Sequence, residues 1–251
     1  VWATHVHDDL VWLRWEAPGA PLLVFTTRRG GVSPPPYDGL NLGRSTDDAP
    51  AHVTENRRRL LTALGREPDS LVTAGQVHGR GVKSAFQPGH LATCDALLTT
   101  RPGLTLAVTT ADCAPVLLCA PGALAAVHAG WRGAAAGVVG AAVAELRSTT
   151  GCGPAAIHAL LGPCIRRCCY TVGPEVARRF DPRCVLRVDQ ELRLDLPAAI
   201  SLELERLGVG ELADSGRCTS CEPAWFFSHR RDRGLTGRQW AVAALDPSDV
   251  R

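Results

Sequence analysis

A dense series of strand signals through the middle of the chain sets the strongest limit on its fold. Residues 71–74, 96–99, 104–110, 116–119 and 124–128 are short apolar runs rich in Leu, Val, Ala and Thr, and Pro102-Gly103 and Pro121-Gly122 punctuate them. Two of these turns are short enough for hairpins, so part of the sheet is expected to be antiparallel. Further strands are expected at 22–27, 155–161 and 239–245. An amphipathic helix is introduced by Asp47, Asp48 and Pro50, closed by Gly65 and striped by Val53, Leu60, Leu61 and Leu64. Residues 134–146 read as a helix of small side chains whose backbone can approach a sheet closely. A last helix over 197–207 stops at Gly208.

This order of elements predicts an α+β fold. No repeat or linker divides it, and 251 residues with 45% hydrophobic and 21% charged content suffice to bury a core, so one domain over 1–251 is expected. No run of 18 apolar residues occurs, and the segment beginning at Val1 lacks the layout of a secretory signal, which points to the cytoplasm and away from a membrane partner. A formal charge of +2 with dispersed arginines gives no nucleic-acid footprint. The one dense cluster, Arg57-Arg58-Arg59, reads as the solvated face of a helix. Nothing in the sequence specifies an oligomeric state.

Ten cysteines, irregularly spaced in a chain of this length, are expected to be mostly reduced. Cys218-x-x-Cys221 is either redox-like or half of a zinc ribbon. No second CxxC accompanies it, and Cys164, Cys168 and Cys169 have a different spacing, so a structural role is the preferred reading.

Three segments place a metal-binding side chain beside a tight turn: Gln76-Val77-His78-Gly79, Asp112-Cys113-Ala114-Pro115 and His128-Ala129-Gly130-Trp131-Arg132-Gly133. Two imidazoles and a thiolate suit zinc. Three protein ligands leave a fourth position for water, whose pKa zinc lowers to roughly 7. Buried histidines and cysteines are also ordinary core residues. Gly79 and Gly130 favour the site, because glycine lets backbone approach a ligand. Trp131-Arg132 opens a predicted helix, where free N–H groups and an arginine would hold phosphate.

The stretches TTRRGGVSPPPYDGLNLG, QVHG, CDALLTT, TTADCAPVLL, HAGWRG, GPCIRRCCYTVG, CTSC and FFSHRRDRGLTGR together resemble the YfiH-like, or laccase-domain, family. Its members have been described as polyphenol oxidases, peptidoglycan-editing factors and, more recently, purine nucleoside phosphorylases. The resemblance spans residues 22–245. It implies a layered α/β/β/α-type sandwich with mixed sheets, similar to deamidating toxins, and a metal site on His78, Cys113 and His128. It also implies phosphorolysis of adenosine, inosine, guanosine and methylthioadenosine, with deamination of adenosine. Zinc is the expected ion, with copper as the alternative occupant. Purine nucleosides and phosphate are the expected partners. A multicopper oxidase needs several His-x-His pairs, whereas the eight histidines form one, His5-Val6-His7.

With Arg132 as the phosphate ligand beside the trio, Arg28, Asn41, Gln76, Phe227 and Arg230 are the candidate substrate contacts. Each has a plainer alternative: a loop stiffened by Pro34, Pro35 and Pro36 for Arg28 and Asn41, a supporting hydrogen bond for Gln76, and core packing for Phe227. Asp112 is a candidate base or a structural acceptor. The chain departs from the family pattern with Arg166, Arg167, Thr171 and His229. A cysteine hydrolase with Cys113 as nucleophile and His128 as base, and a metal-stabilised binding protein, are the competing functions.

Overall fold

The strand signals resolve into stacked sheets in a computed structural model that describes residues 1–246; residues 247–251, the end of the expected domain, lie outside the described residues. The first strands are β1 (Trp2–His7), β2 (Leu10–Trp15), β3 (Leu22–Thr26), β4 (Leu71–Gly75), β5 (Val82–Ser84), β6 (Gly89–Ala92), β7 (Ala96–Thr99) and β8 (Thr105–Thr110). They are followed by β9 (Ala114–Ala120), β10 (Ala123–Ala129), β11 (His158–Leu161), β12 (Thr171–Val172), β13 (Val185–Val188), β14 (Glu191–Leu194), β15 (Glu211–Asp214) and β16 (Gln239–Ala244). The helices are α1 (Pro50–Ala63), α2 (Trp131–Ala135), α3 (Val138–Thr150), α4 (Pro174–Ala177) and α5 (Leu196–Arg206).

A seven-stranded sheet runs β1-β2-β3-β16-β8-β4-β6, a six-stranded sheet β15-β11-β9-β10-β7-β5, and a small ribbon β12-β14-β13. Both large sheets are mixed: in the larger, β4 lies parallel to β6 and β8 whereas β16 runs antiparallel to β3 and β8, and in the smaller, β11 is parallel to β15 and antiparallel to β9. Between the sheets, Leu23, Phe25, Leu106 and Val108 meet Leu97, Leu117, Leu124 and Ala126. The outer face of the larger sheet is closed by Leu60 of α1 against Val24, Ala107 and Val242. On the opposite side, Val139, Val143, Ile200 and Leu204 of α3 and α5 cover Leu98, Val116 and Ala125. The result is the expected α/β/β/α layering. It explains the unbroken apolar runs, since all seven residues of β10 are buried.

The Pro121-Gly122 turn joins the β9–β10 hairpin, but Pro102-Gly103 does not make one. It carries the chain from β7 in one sheet to β8 in the other, because the neighbours of β8 are β4 and β16. The helix expected over 134–146 is two helices, α2 and α3, parted at Gly137 with φ +80°. The segment 155–161 is a strand only from His158, after a single turn at Pro154. Arg57 does not belong to a solvated face: it is 7% exposed, its Cζ lies 4.7 Å from the centre of the Trp240 ring, and its Nε and Nη2 both donate to Leu42 O. Position 57 falls on the apolar stripe between Val53 and Leu60, which the charge of the cluster obscured. Among the described residues, no helix is long and apolar enough to cross a membrane.

Candidate metal centre and substrate cavity

Each member of the His-Cys-His trio comes from a place where a strand ends. His78 follows β4 with φ +58°, Cys113 lies between β8 and β9 directly after Asp112 with φ +88°, and His128 is near the end of β10. Left-handed backbone at two non-glycine residues is strained, and such strain persists where surrounding structure enforces it. The donor atoms of His78, Cys113 and His128 all lie within 4.8 Å of one another. A tetrahedral zinc site needs such donors about 3.5 Å apart, so the set fits one ion with small adjustments. Gly130 makes room for it: a Cβ there would sit 2.9 Å from both Cys113 Sγ and His78 Cδ2. Gly79 serves differently, because its N–H donates to Asp95 Oδ2 at 2.7 Å.

Asp95, fully buried, organises the trio and escaped the sequence reading. Its Oδ1 accepts from the backbone N–H of His78 and lies 2.9 Å from His128 Nδ1, while Oδ2 accepts from the N–H groups of Val77 and Gly79. Burial raises its pKa, but the bond to His128 and these N–H groups outweigh burial and leave the carboxylate below its usual range. With Nδ1 facing Asp95, Nε2 of His128 is left free to serve as a ligand were a metal bound by the trio. Its signal was the motif beginning Cys94-Asp95, immediately before a buried strand. Burial acts to raise the Cys113 thiol, yet His128 and His78 pull it down to about 6. His128 is raised to about 9, against the effect of burial, by Cys113 and Asp95. The site therefore favours a thiolate, the form a metal binds.

A cavity of about 700 Å³ opens beside the trio. Arg44, Arg57, Arg132, Arg230 and Arg238 line it, with His90, Tyr170 and His229. Among the described lining residues, Asp112 is the one carboxylate, and both its oxygens are engaged, accepting from Thr219 Oγ1 and the N–H of Arg230 at 2.6 Å each. Asp112 is thus a structural bracket. Tyr170 is held in its neutral phenol form by burial first and then by the Cys113 charge. Burial and the nearby Arg44 press the Arg57 pKa downward, which marks a cation buried without a carboxylate to offset it.

The structure sorts the remaining candidates. Arg132 and Arg230 face the cavity, although Arg132 opens a helix of five residues only and stacks on its own neighbour Trp131 at 4.3 Å. Gln76 lines the cavity but spends its carbonyl on Thr109 N–H and Oγ1, and one N–H on Thr109 O, bracing β4 to β8. Arg28, Asn41 and Phe227 are not among the residues that line the cavity. Arg28 donates to Asp38 O and Pro223 O and covers the buried ring of Phe227 at 4.7 Å. Asn41 is fully buried, donating to Thr46 and Asp48 and accepting from the N–H groups of Gly43 and Arg238. The loop around them is fastened to α1 by Asn56, whose amide donates to Ser33 Oγ, Gly39 O and Asn41 O. The sulfurs of Cys168, Cys169, Cys218 and Cys221 also converge within 4.8 Å, away from the trio, whereas Cys164 is not in that group.

A family model described as "Multi-copper polyphenol oxidoreductase laccase" matches residues 22–246. The chain is 46% identical over 244 residues to a protein of Deinococcus radiodurans named purine nucleoside phosphorylase, covering 91% of this chain and 94% of the relative. It is 40% identical over 243 residues to purine nucleoside phosphorylase YfiH of Escherichia coli, covering 92% and 96% of the two chains. Among solved structures, the Bacillus licheniformis hypothetical protein YfiH superposes with a TM-score of 0.92 at 33% identity, over 97% of this chain and 99% of that one.

Proposed function

The chain belongs to the YfiH-type, laccase-domain family, and from that premise we propose that it is a metal-dependent purine nucleoside phosphorylase acting on adenosine, inosine, guanosine and methylthioadenosine. The observation that carries this reading is the adjacency of the His-Cys-His trio to a cavity whose arginines outnumber its single, already engaged carboxylate. Such a lining suits a phosphate dianion. In the reaction, a phosphate oxygen attacks C1′ of the ribose as the bond from C1′ to the purine N9 breaks. The bonding pair leaves with the base, which takes up a proton, and ribose 1-phosphate remains.

Arg132, Arg230 and Arg238 hold the phosphate and neutralise the charge that develops around it, while Arg57, anchored to Leu42 O, adds positive charge from the cavity wall. Tyr170 supplies a neutral O–H donor in the same cavity. His78, Cys113 and His128 hold zinc, with copper as a competitor, and Asp95 fixes His128 in the tautomer that leaves Nε2 for the metal. When bound, the ion supplies a Lewis acid beside the nucleoside, which also serves the hydrolytic deamination of adenosine. The test is chromatographic assay of adenosine and inosine turnover, with and without phosphate, on protein of measured metal content. Phosphate-dependent release of free base supports the proposal; ammonia released without free base would leave only the deaminase, and no turnover of either nucleoside would sink both.

One observation favours a second reading. Asp95, His128 and Cys113 stand in the order carboxylate, imidazole, thiol, which also suits a cysteine nucleophile. Turnover of an amide or ester substrate that survives metal removal and is abolished by alkylating Cys113 would support that reading over the metal enzyme.

A further inference from the structure

The cluster formed by Cys168, Cys169, Cys218 and Cys221 takes no part in the chemistry proposed above. Two sequence-distant loops build it. One follows β11 and turns tightly at Arg166, whose carbonyl accepts from the N–H groups of Cys169 and Tyr170; the other follows β15 and carries the CxxC pair, closed by Glu222 N–H donating to Cys218 O. The loops are joined by Thr219 N–H donating to Cys164 O. This brings Cys168 Sγ to 3.6 Å from Cys218 Sγ and 3.5 Å from Cys221 Sγ, with Cys169 Sγ 3.3 Å from Cys221 Sγ. None of the four is in a disulfide.

The spacing identifies the ligand class. Four thiolates about 2.3 Å from one zinc ion occupy tetrahedral corners about 3.8 Å apart, close to the separations here. The sulfurs are too tightly grouped to embrace a cluster of several irons. A four-sulfur tetrahedron selects a single soft divalent ion, zinc above all, and a closed four-ligand shell leaves no position for substrate. The missing half of the ribbon suggested by Cys218-x-x-Cys221 is therefore the adjacent pair Cys168-Cys169, which no CxxC spacing announces.

We infer that Cys168, Cys169, Cys218 and Cys221 form a second, structural metal site, binding one zinc-class ion as a tetrathiolate separate from the His78–Cys113–His128 centre. Its position explains what it is for. Tyr170, next to Cys169, lines the cavity, and Thr219, inside the CxxC, donates to Asp112, the residue before Cys113. Ile165 N–H donates to Asp112 O, and Arg230 N–H to its Oδ2. One ion on the four sulfurs therefore clamps together the two loops that support the cavity wall and the Cys113 turn.

Native mass spectrometry of the full chain, purified under reducing conditions and paired with elemental analysis, tests the inference without reference to catalysis. Two metal ions per wild-type chain are expected. Cys221→Ser, at an exposed position, should retain one, and Cys113→Ser should retain the other. In the wild type, which removes any doubt about variant folding, alkylation under native conditions should spare Cys168, Cys169, Cys218 and Cys221 until a chelator is added. One ion per chain in both the wild type and Cys221→Ser, or recovery of these four residues as disulfides or freely alkylated thiols in the metal-replete protein, would overturn it.

Discussion

Asp95 shows how one buried carboxylate can organise a site without facing its substrate. It binds two backbone N–H groups on either side of His78, the N–H of His78 itself and the ring of His128, so it sets the position of two candidate ligands at once. Replacing it as Asp95→Asn should weaken metal binding about 10- to 100-fold, read by chelator competition, because the amide no longer offers a charged acceptor to the imidazole. Unchanged affinity would mean that strand geometry alone aims the ligands. Cys113 gives a second test in metal-stripped protein. Its folded pKa lies at about 6, below an ordinary thiol near 8.5, so thiolate forms as pH rises through 6. Iodoacetamide labelling of Cys113 should therefore rise with a midpoint near pH 6 and be level by pH 8. A midpoint near 8.5 would remove the claimed influence of His128 and His78. The residue types of the trio were readable from Gly-flanked motifs, but Asp95 was not, since an aspartate before a strand commonly does nothing more than end a turn.

At the scale of elements, the site depends on where strands stop. β4, β8 and β10 belong to different sheets or different positions within them, yet their ends deliver His78, Cys113 and His128 to one point. The turn at Gly137 then redirects the chain from α2, beside the cavity, into α3, which covers the six-stranded sheet. Because φ there is +80°, Gly137→Ala should cost about 1–2 kcal/mol, measured as a lower denaturation midpoint. A neutral effect would show that the two helices can merge. Helix α1 illustrates why element-level reading fell short. Its apolar stripe was evident, but Arg57 lies on that stripe and is buried against Trp240 of β16, a partner 183 positions away. Local charge cannot reveal a stacking partner so distant in the chain.

Across the whole molecule, the two large sheets share the core that keeps these strand ends in register. Phe25, 1% exposed, sits in that core with its ring 5.3 Å from that of Trp2, and a Cβ at Gly162 would come within 2.5 Å of it. Phe25→Ala should lower stability by about 3–5 kcal/mol in chemical denaturation, because the cavity it leaves is bounded by both sheets and cannot easily collapse. A loss below about 1 kcal/mol would mean that the layers are held elsewhere. The sequence by itself determined an α+β chain rich in short strands and offered His78, Cys113 and His128 as a candidate metal trio among tight turns, while the layering followed only from the family resemblance. The tertiary structure alone decided that Arg28, Asn41 and Phe227 sit in the loop and core outside the cavity lining, that Arg57 lines the cavity, and that Cys168-Cys169 meets the CxxC. The physical reason is range: periodicity and turn chemistry act over a few residues, whereas hydrogen-bond partners, ring stacking and ligand convergence are set by contacts between segments that only folding brings together.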